Sequence, residues 1–295
     1  MDANSPVIEA YATPAEEIAR TLRYPPSAAR VLPLLKRLLM DSDVSLFQIA
    51  DVIRLDPGIA ARVLHAANSP VYRRGARCTS MAMAINMFGC DAIYEMVANA
   101  VAEQVLVIPL QAYSLEADEF WLSSVACAIA AECIAEECEL DRNVAYTLGL
   151  LSGIGMVAID HWIRANSTPL AFFKRTFPRD YCESEHALLG CTNSEVATQV
   201  LRSWDFPPEM CLPVRWQYAP WEAGSFRQLS ALLHCAKWVS ATVCAPQPGQ
   251  VPAPAPRALE ALKFNGSKLS RIVSVVESRL RDVQRRLEAQ PLDAA

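Results

Sequence analysis

Four histidines, His65, His161, His186 and His234, are the only imidazoles in the 295-residue chain. No two stand four residues apart, the helical spacing that aims a pair at one metal ion. They read as single surface or partly buried side chains, with Asp160-His161 closing a helix toward solvent. The ten cysteines are scattered without a Cys-x-x-Cys. Cys133 and Cys138, the nearest pair, would point about 140° apart on a helix, so buried reduced thiols are expected. Ser152 precedes a glycine, yet Leu150 and Ile154 occupy the flanks where a nucleophile elbow needs glycine, and no β-run leads into it. Serine hydrolase chemistry is therefore excluded.

Arginines offer a different chemistry. Arg73, Arg74 and Arg77 crowd one loop, which either receives an anion, a nucleotide phosphate or an acidic partner, or is simply solvated. Arg279, Arg281, Arg285 and Arg286 alternate with Glu277, Asp282 and Glu288, the pattern of a mixed-charge solvated face without the aromatic platform of a nucleic-acid binder. Trp216, Tyr218 and Trp221 either form a binding surface or close the core.

Hydrophobic residues make up 52% of the chain and charged ones 20%, with only 10 glycines. Such a balance supports a large helical core and disfavours hairpin-rich β folds, so the expected class is all-α. A net charge of -5 argues against nucleic acid as partner. The first residues, Met1 to Pro6, lack the basic and apolar regions of a signal peptide, and no apolar run reaches membrane-spanning length. No membrane association and a cytoplasmic location are expected.

Local signals divide the chain. Residues 1–24 form an extension with a short helix opened by the capping box Thr13-Pro14-Ala15-Glu16. A helix through Leu34 to Leu39 follows, and Ser45-Leu46-Phe47-Gln48 is a second capping box. Asp56 caps a helix that opens at Pro57 and closes at Asn68-Ser69-Pro70. Ser80 caps the next, with Gly89 at its left-handed end, and a longer helix is predicted from Ile93 to Val107. A second block carries helices over Asp118 to Cys138 and, as one continuous element, Asn143 to about Arg164. Thr192-Asn193-Ser194-Glu195 caps another, Pro207-Pro208 opens one toward Tyr218, and one runs from Phe226 to Val243. The Pro/Ala-rich residues 245–257 read as an extended connection. Over 258–289 the apolar positions Leu269, Ile272, Val276, Leu280, Val283 and Leu287 make a helical stripe that packs on the same domain or on a second copy as a homodimer.

Segments of this sequence resemble the HDOD family, degenerate relatives of the HD phosphohydrolases. Ile49 to Pro70 is similar to the family's apolar helix, Asp-Pro, second helix and Asn-Ser elbow. Thr79 to Gly89 is similar to its "serine, apolar, Ala-Ile, two residues, Leu-Gly" turn, with Phe88 in place of leucine. Gly149-Leu150-Leu151-Ser152-Gly153-Ile154-Gly155 resembles the Gly-Leu-Leu-His-Asp-Ile-Gly stretch of HD-type proteins. The resemblance covers about residues 25–240, as lobes of about 25–108 and 116–240, and implies a two-lobed helical unit.

It also implies what has been lost. HD phosphohydrolases use histidine and aspartate to hold divalent metal, which supplies hydroxide and neutralises phosphate. Here Ser152 and Gly153 stand at the His-Asp pair. Ser123 stands where Trp-x-His-Ser has its histidine, Asn193 where Thr-His-x-Glu has its own, and Arg215-Trp216-Gln217 where paired histidines often follow Trp-x-x-Pro. The expectation is a bacterial signal-transduction module with no cofactor or catalytic residue, acting on a protein partner or messenger. Asp56, Pro57, Asn68 and Ser69 are then structural caps and turns. The competing readings are a residual metal-dependent nucleotide phosphohydrolase and a nucleotide sensor using the vestigial pocket.

Overall fold

The structure, a computed structural model, describes residues 14–22, 38, 45–69, 77–89, 93, 109–166, 179–245 and 251–288. Among them there is no β-strand, only an isolated bridge between Leu110 and Leu115. Apart from Leu38, which is helical, the predicted helix around Leu34 to Leu39 lies outside the described residues, as do the one beyond Ile93 and the cap residue Thr13.

The N-terminal helices are set by their first residues. Helix α1 (Pro14–Thr21) opens on proline and buries Ala15, Ile18 and Ala19. In α2 (Leu46–Ile53) the Ser45 and Gln48 side chains each accept from the other's backbone N–H, the reciprocal bonding that satisfies otherwise unpaired donors of the first turn. Helix α3 (Pro57–Asn68) starts where Asp56 Oδ1 accepts from Ile59 N–H at 2.8 Å. Ser80 Oγ accepts from Met83 N–H to open α4, residues 81–89. Gly89 ends that run with φ +71°, as its predicted terminal role requires.

Helix α5 (Ala117–Glu137) is the scaffold of the second half, with α6 (Arg142–Leu151), α11 (Arg227–Cys244) and α13 (Gly266–Glu288) packed against it. The continuous helix expected from Asn143 to Arg164 is in fact broken: Ser152 and Gly153 interrupt it, and α7 (Ile154–Ala165) starts anew. The physical reason is the loss of helix propensity at Ser-Gly together with room for a backbone turn. The run Arg142–Ala165 has the length and apolarity to cross a membrane, but 89% of its apolar window is buried inside the fold. Close approach explains Gly155, where a Cβ would lie 1.9 Å from the Asn193 carbonyl oxygen. Only a bare α-carbon lets α7 meet α9 (Asn193–Ser203) this closely.

Helix α8 (Arg179–Leu189), α10 (Pro208–Arg215) and α12 (Pro256–Leu262) complete the order. Leu269, Ile272, Val276, Leu280 and Val283 of α13 are all buried. The arginine pattern of this helix corrects the solvated-face expectation at one position. Arg279 reaches back to Glu132 of α5 at 2.5 Å, and Arg54 at the end of α2 binds the same carboxylate at 2.8 Å. Burial alone would raise the Glu132 carboxyl, but the two guanidinium partners more than offset it and hold it below its ordinary value. The carboxylate joins α2, α5 and α13, tying the C-terminal helix to the N-terminal half.

Candidate functional site

The residues at the HD-like positions converge on one centre, built by α5, the α6–α7 break, the start of α9 and the flank of α11. Ser152 is buried, and its Oγ donates back to Gly149 O at 2.9 Å. Ser123 Oγ likewise returns to Phe120 O at 2.9 Å, while its carbonyl accepts from Ser240 Oγ of α11 at 2.7 Å. At Gly153 a Cβ would meet the Phe120 ring at 2.9 Å, so the ring edge lies where an aspartate side chain would begin. Gln217 Nε2 donates to Ser152 O at 3.3 Å, anchoring the break to the end of α10.

Asn193 differs from the serines because its bonds cross between elements. Its backbone N–H donates to Glu185 Oε2 at 2.6 Å, and Nδ2 bonds both Glu185 oxygens at 2.9 Å. Tyr113 O–H donates to Glu185 Oε1 at 2.7 Å, and Tyr218 O–H to Asn193 Oδ1 at 3.0 Å. Thr192 forms the expected capping box with Glu195, which places Asn193 at the first turn of α9. Glu185 thus accepts from Tyr113 and from the backbone and side chain of Asn193, donors of the kind an ionised carboxylate takes. Burial pushes its carboxyl up; the Asn193 and Tyr113 bonds and the charge of Lys237 pull it back, with a net rise.

Sequence reading missed Glu185, Tyr113 and Lys237. No motif marks them: Tyr113 and Glu185 meet only after α8 and the segment before α5 have folded, and Lys237 of α11 stands over the Tyr218 ring. Asp160 was expected at a solvent-facing helix end and is instead fully buried. It accepts Ala112 N–H at 2.9 Å and pairs with Arg164 at 2.9 Å. A buried carboxylate needs such partners, and by holding Ala112 it positions the adjoining Tyr113 over Glu185. His161 beside it is exposed. His234 is half-buried: its Nδ1 lies 3.0 Å from Gln217 O and its Nε2 accepts Ala255 N–H at 3.3 Å. Those bonds suit a neutral ring, and burial holds its pKa below the ordinary histidine value.

The donor chemistry of the centre does not suit a divalent metal. Serine hydroxyls bonded to their own helices, a glycine faced by an aromatic ring and an amide bound to a carboxylate stand at the positions where the family resemblance puts imidazoles and aspartate. Among the described residues no group of three His, Cys, Asp or Glu side chains is arranged to hold a metal ion.

The family-signature residues lie elsewhere. Asp56 caps α3 as described, and Pro57 fills its first position. Buried Asn68 clasps the Cys78 backbone, accepting its N–H at 2.7 Å and donating to its carbonyl at 3.0 Å. Ser69 is the C-cap of α3, its N–H donating to Ala66 O. Arg77 donates to Asp205 O at 2.7 Å and pairs with its carboxylate at 3.3 Å, so its charge is turned toward the α9–α10 corner. Arg73 and Arg74 lie outside the described residues. Between α2, α3, α4 and α6 opens a groove of about 220 Å³, lined by Leu64, Met81, Ile85 and Tyr146. Phe47, 79% exposed, belongs to its lining.

A family model described as the HDOD domain matches residues 25–220. No curated protein matches the chain. Among solved structures, the MmoQ response regulator from Methylococcus capsulatus is similar at a TM-score of 0.67 and 20% identity, over 84% of this chain and 97% of that one. A virulence factor from Campylobacter jejuni gives 0.69 and 20%, over 90% and 96%. At this identity the likeness is one of fold.

Proposed function

Since the chain belongs to the HDOD family, we propose that it serves signal transduction by binding a protein partner or messenger, without catalysis of its own. One observation carries the reading: the side chains at the HD-like positions are spent inside the fold, Ser123 and Ser152 on their own helices and Asn193 on Glu185, with no side chain at Gly153. An HD hydrolase needs those positions free to bind the ion that generates hydroxide. The fold shared with a protein described as a response regulator supports a signalling role. A cytoplasmic setting and contact through Arg73 and Arg74 belong to the same proposal.

The decisive test is metal content and turnover. Protein purified after exposure to manganese and magnesium should retain less than stoichiometric metal and should hydrolyse neither nucleotides nor cyclic dinucleotides. Stoichiometric metal, with turnover that a chelator abolishes, overturns the proposal in favour of a residual phosphohydrolase. Calorimetry with the same nucleotides separates a messenger sensor, which releases heat of binding, from a module that binds protein alone.

A further inference from the structure

The groove between α2, α3, α4 and α6 is apolar within and polar at its edge. Phe47, Asp51 and Arg54 stand four and three residues apart, so one face of α2 forms a wall of it. Met81 and Ile85 of α4 form another at the same helical spacing, and the buried Leu64 of α3 and Leu150 of α6 also line it. Asn86 and Asn143 bring exposed amides to the rim.

Two groups on the α2 wall are left unsatisfied. Phe47 is 79% exposed, more than Leu188 at 57% or Val275 at 42%, so the most exposed of these large apolar side chains stands at the mouth of an apolar groove. Asp51, one turn further along α2, is exposed and makes no hydrogen bond or ion pair among the described residues. The other charged residue of the lining is already engaged. Arg54 pairs with Glu132 at 2.8 Å, and its guanidinium lies 4.2 Å from the centroid of the Tyr146 ring. The charge that the groove still offers an occupant is therefore the Asp51 carboxylate, and the chain's net charge of -5 has the same sign.

We propose that this groove docks a basic amphipathic segment of a partner protein, which seats a large apolar side chain between Phe47, Met81 and Ile85 and sets a lysine or arginine against Asp51. Size favours a segment over a small molecule. The groove's volume of about 220 Å³ falls below the roughly 300–1,000 Å³ of pockets that enclose a whole ligand, and suits the anchor of a chain lying across it. Charge disfavours an acidic segment or a nucleotide phosphate, since either would meet an unpaired carboxylate. The amides of Asn86 and Asn143 can then bond the backbone of the docked segment. The inference rests on the reading of the chain as a module that binds protein, but its test is separate, because metal content and turnover decide that reading and peptide binding decides this one.

The test is selection of a random dodecapeptide library on the full chain, followed by titration of the synthesised peptides that are enriched. They should combine a large apolar residue with lysine or arginine. Their affinity should fall about tenfold for Phe47→Ala and for Asp51→Lys, changes at exposed positions that spare the fold. Ala82→Trp, which puts an indole into the groove, should abolish binding, and the peptides should shift the methyl resonance of Met81. Enriched peptides that are acidic, that bind Asp51→Lys as tightly as wild type or that leave Met81 unmoved overturn the proposal, as does a library from which nothing is enriched. Sedimentation tests the rival occupant: a dimer that Phe47→Ala dissociates makes the groove an interface between copies of this chain and overturns the proposal as well.

Discussion

The Asn68 elbow and the Asn193 centre each bury an asparagine with its polar atoms satisfied, yet they are built in opposite ways. Asn68 closes on the backbone of Cys78, ten positions along the chain, and its partners are one peptide N–H and one carbonyl. Asn193 joins a carboxylate on α8 to a tyrosine beyond α10, within a group whose members come from distant parts of the chain. The elbow pairs only backbone groups; the centre holds a carboxylate eight positions from Asn193 and is completed by Tyr113 and Tyr218 from distant parts of the chain. Residues that look like a signature thus serve as architecture in one place, and in the other Asn193, at an HD-like position, holds a buried carboxylate.

The comparison can be broken hardest at the contact beneath the centre. Gly155→Ala places a methyl group 1.9 Å from the Asn193 carbonyl and 2.9 Å from Ala197 N, both backbone atoms that cannot turn aside. The helices must separate, which displaces the first turn of α9 that carries Asn193. A loss above about 4 kcal/mol in denaturant unfolding is expected, the range of severe overpacking. A loss under about 1 kcal/mol would mean that α7 and α9 slide apart freely and that the centre is not rigidly held.

Next come the two asparagines themselves. Asn193→Ala takes from Glu185 both Nδ2 contacts, leaving it the backbone N–H, and strands Tyr218 O–H; roughly 3 kcal/mol should be lost. Asn68→Ala strands one N–H and one carbonyl of Cys78, neutral groups near a loop, and should cost about 2 kcal/mol. Urea titrations of both variants, read beside wild type, rank the charged centre above the neutral elbow. Equal losses, or the reverse order, would remove the distinction.

The same contrast explains what the sequence makes legible. Ser45, Asp56, Ser80 and Thr192 are read correctly as caps because the donor, the acceptor and the spacing of three residues all lie within one turn. Gly89 carries its left-handed backbone in its residue type. The HD-like positions are legible through their resemblance, but what fills them is not. Glu185 and Lys237 lie 52 residues apart with unremarkable neighbours, and Asp160 looks like an ordinary helix-end carboxylate until Ala112 folds back onto it. Arg279 fails for a related reason: a mixed-charge helix face shows its own neighbours and hides the buried Glu132 opposite. The break at Ser152-Gly153 was overlooked because the apolar pattern continues across it, and a hydrophobic period records which face is buried without recording whether the axis is unbroken.

The smallest expected effect is the sharpest test of how the centre should be regarded. Ser152 stands where an HD hydrolase carries a metal-binding histidine, so a working site would make Ser152→Ala costly in activity. In this chain the hydroxyl donates to Gly149 O, a carbonyl of its own helix that also accepts Ser152 N–H at 3.4 Å. Removing it leaves the carbonyl still partnered and costs only the weak 3.7 Å contact with the Cys127 thiol, while the methyl group fits where the hydroxyl's carbon already sits. The expected stability change is within about 1 kcal/mol, and binding of whatever partner the wild-type chain engages should be unchanged. Chemical denaturation paired with calorimetry on that variant measures both. A large loss at Ser152 beside a small one at Asn193 would invert the assignment, making the serine the working group of the centre and the Glu185–Asn193 clasp a bystander.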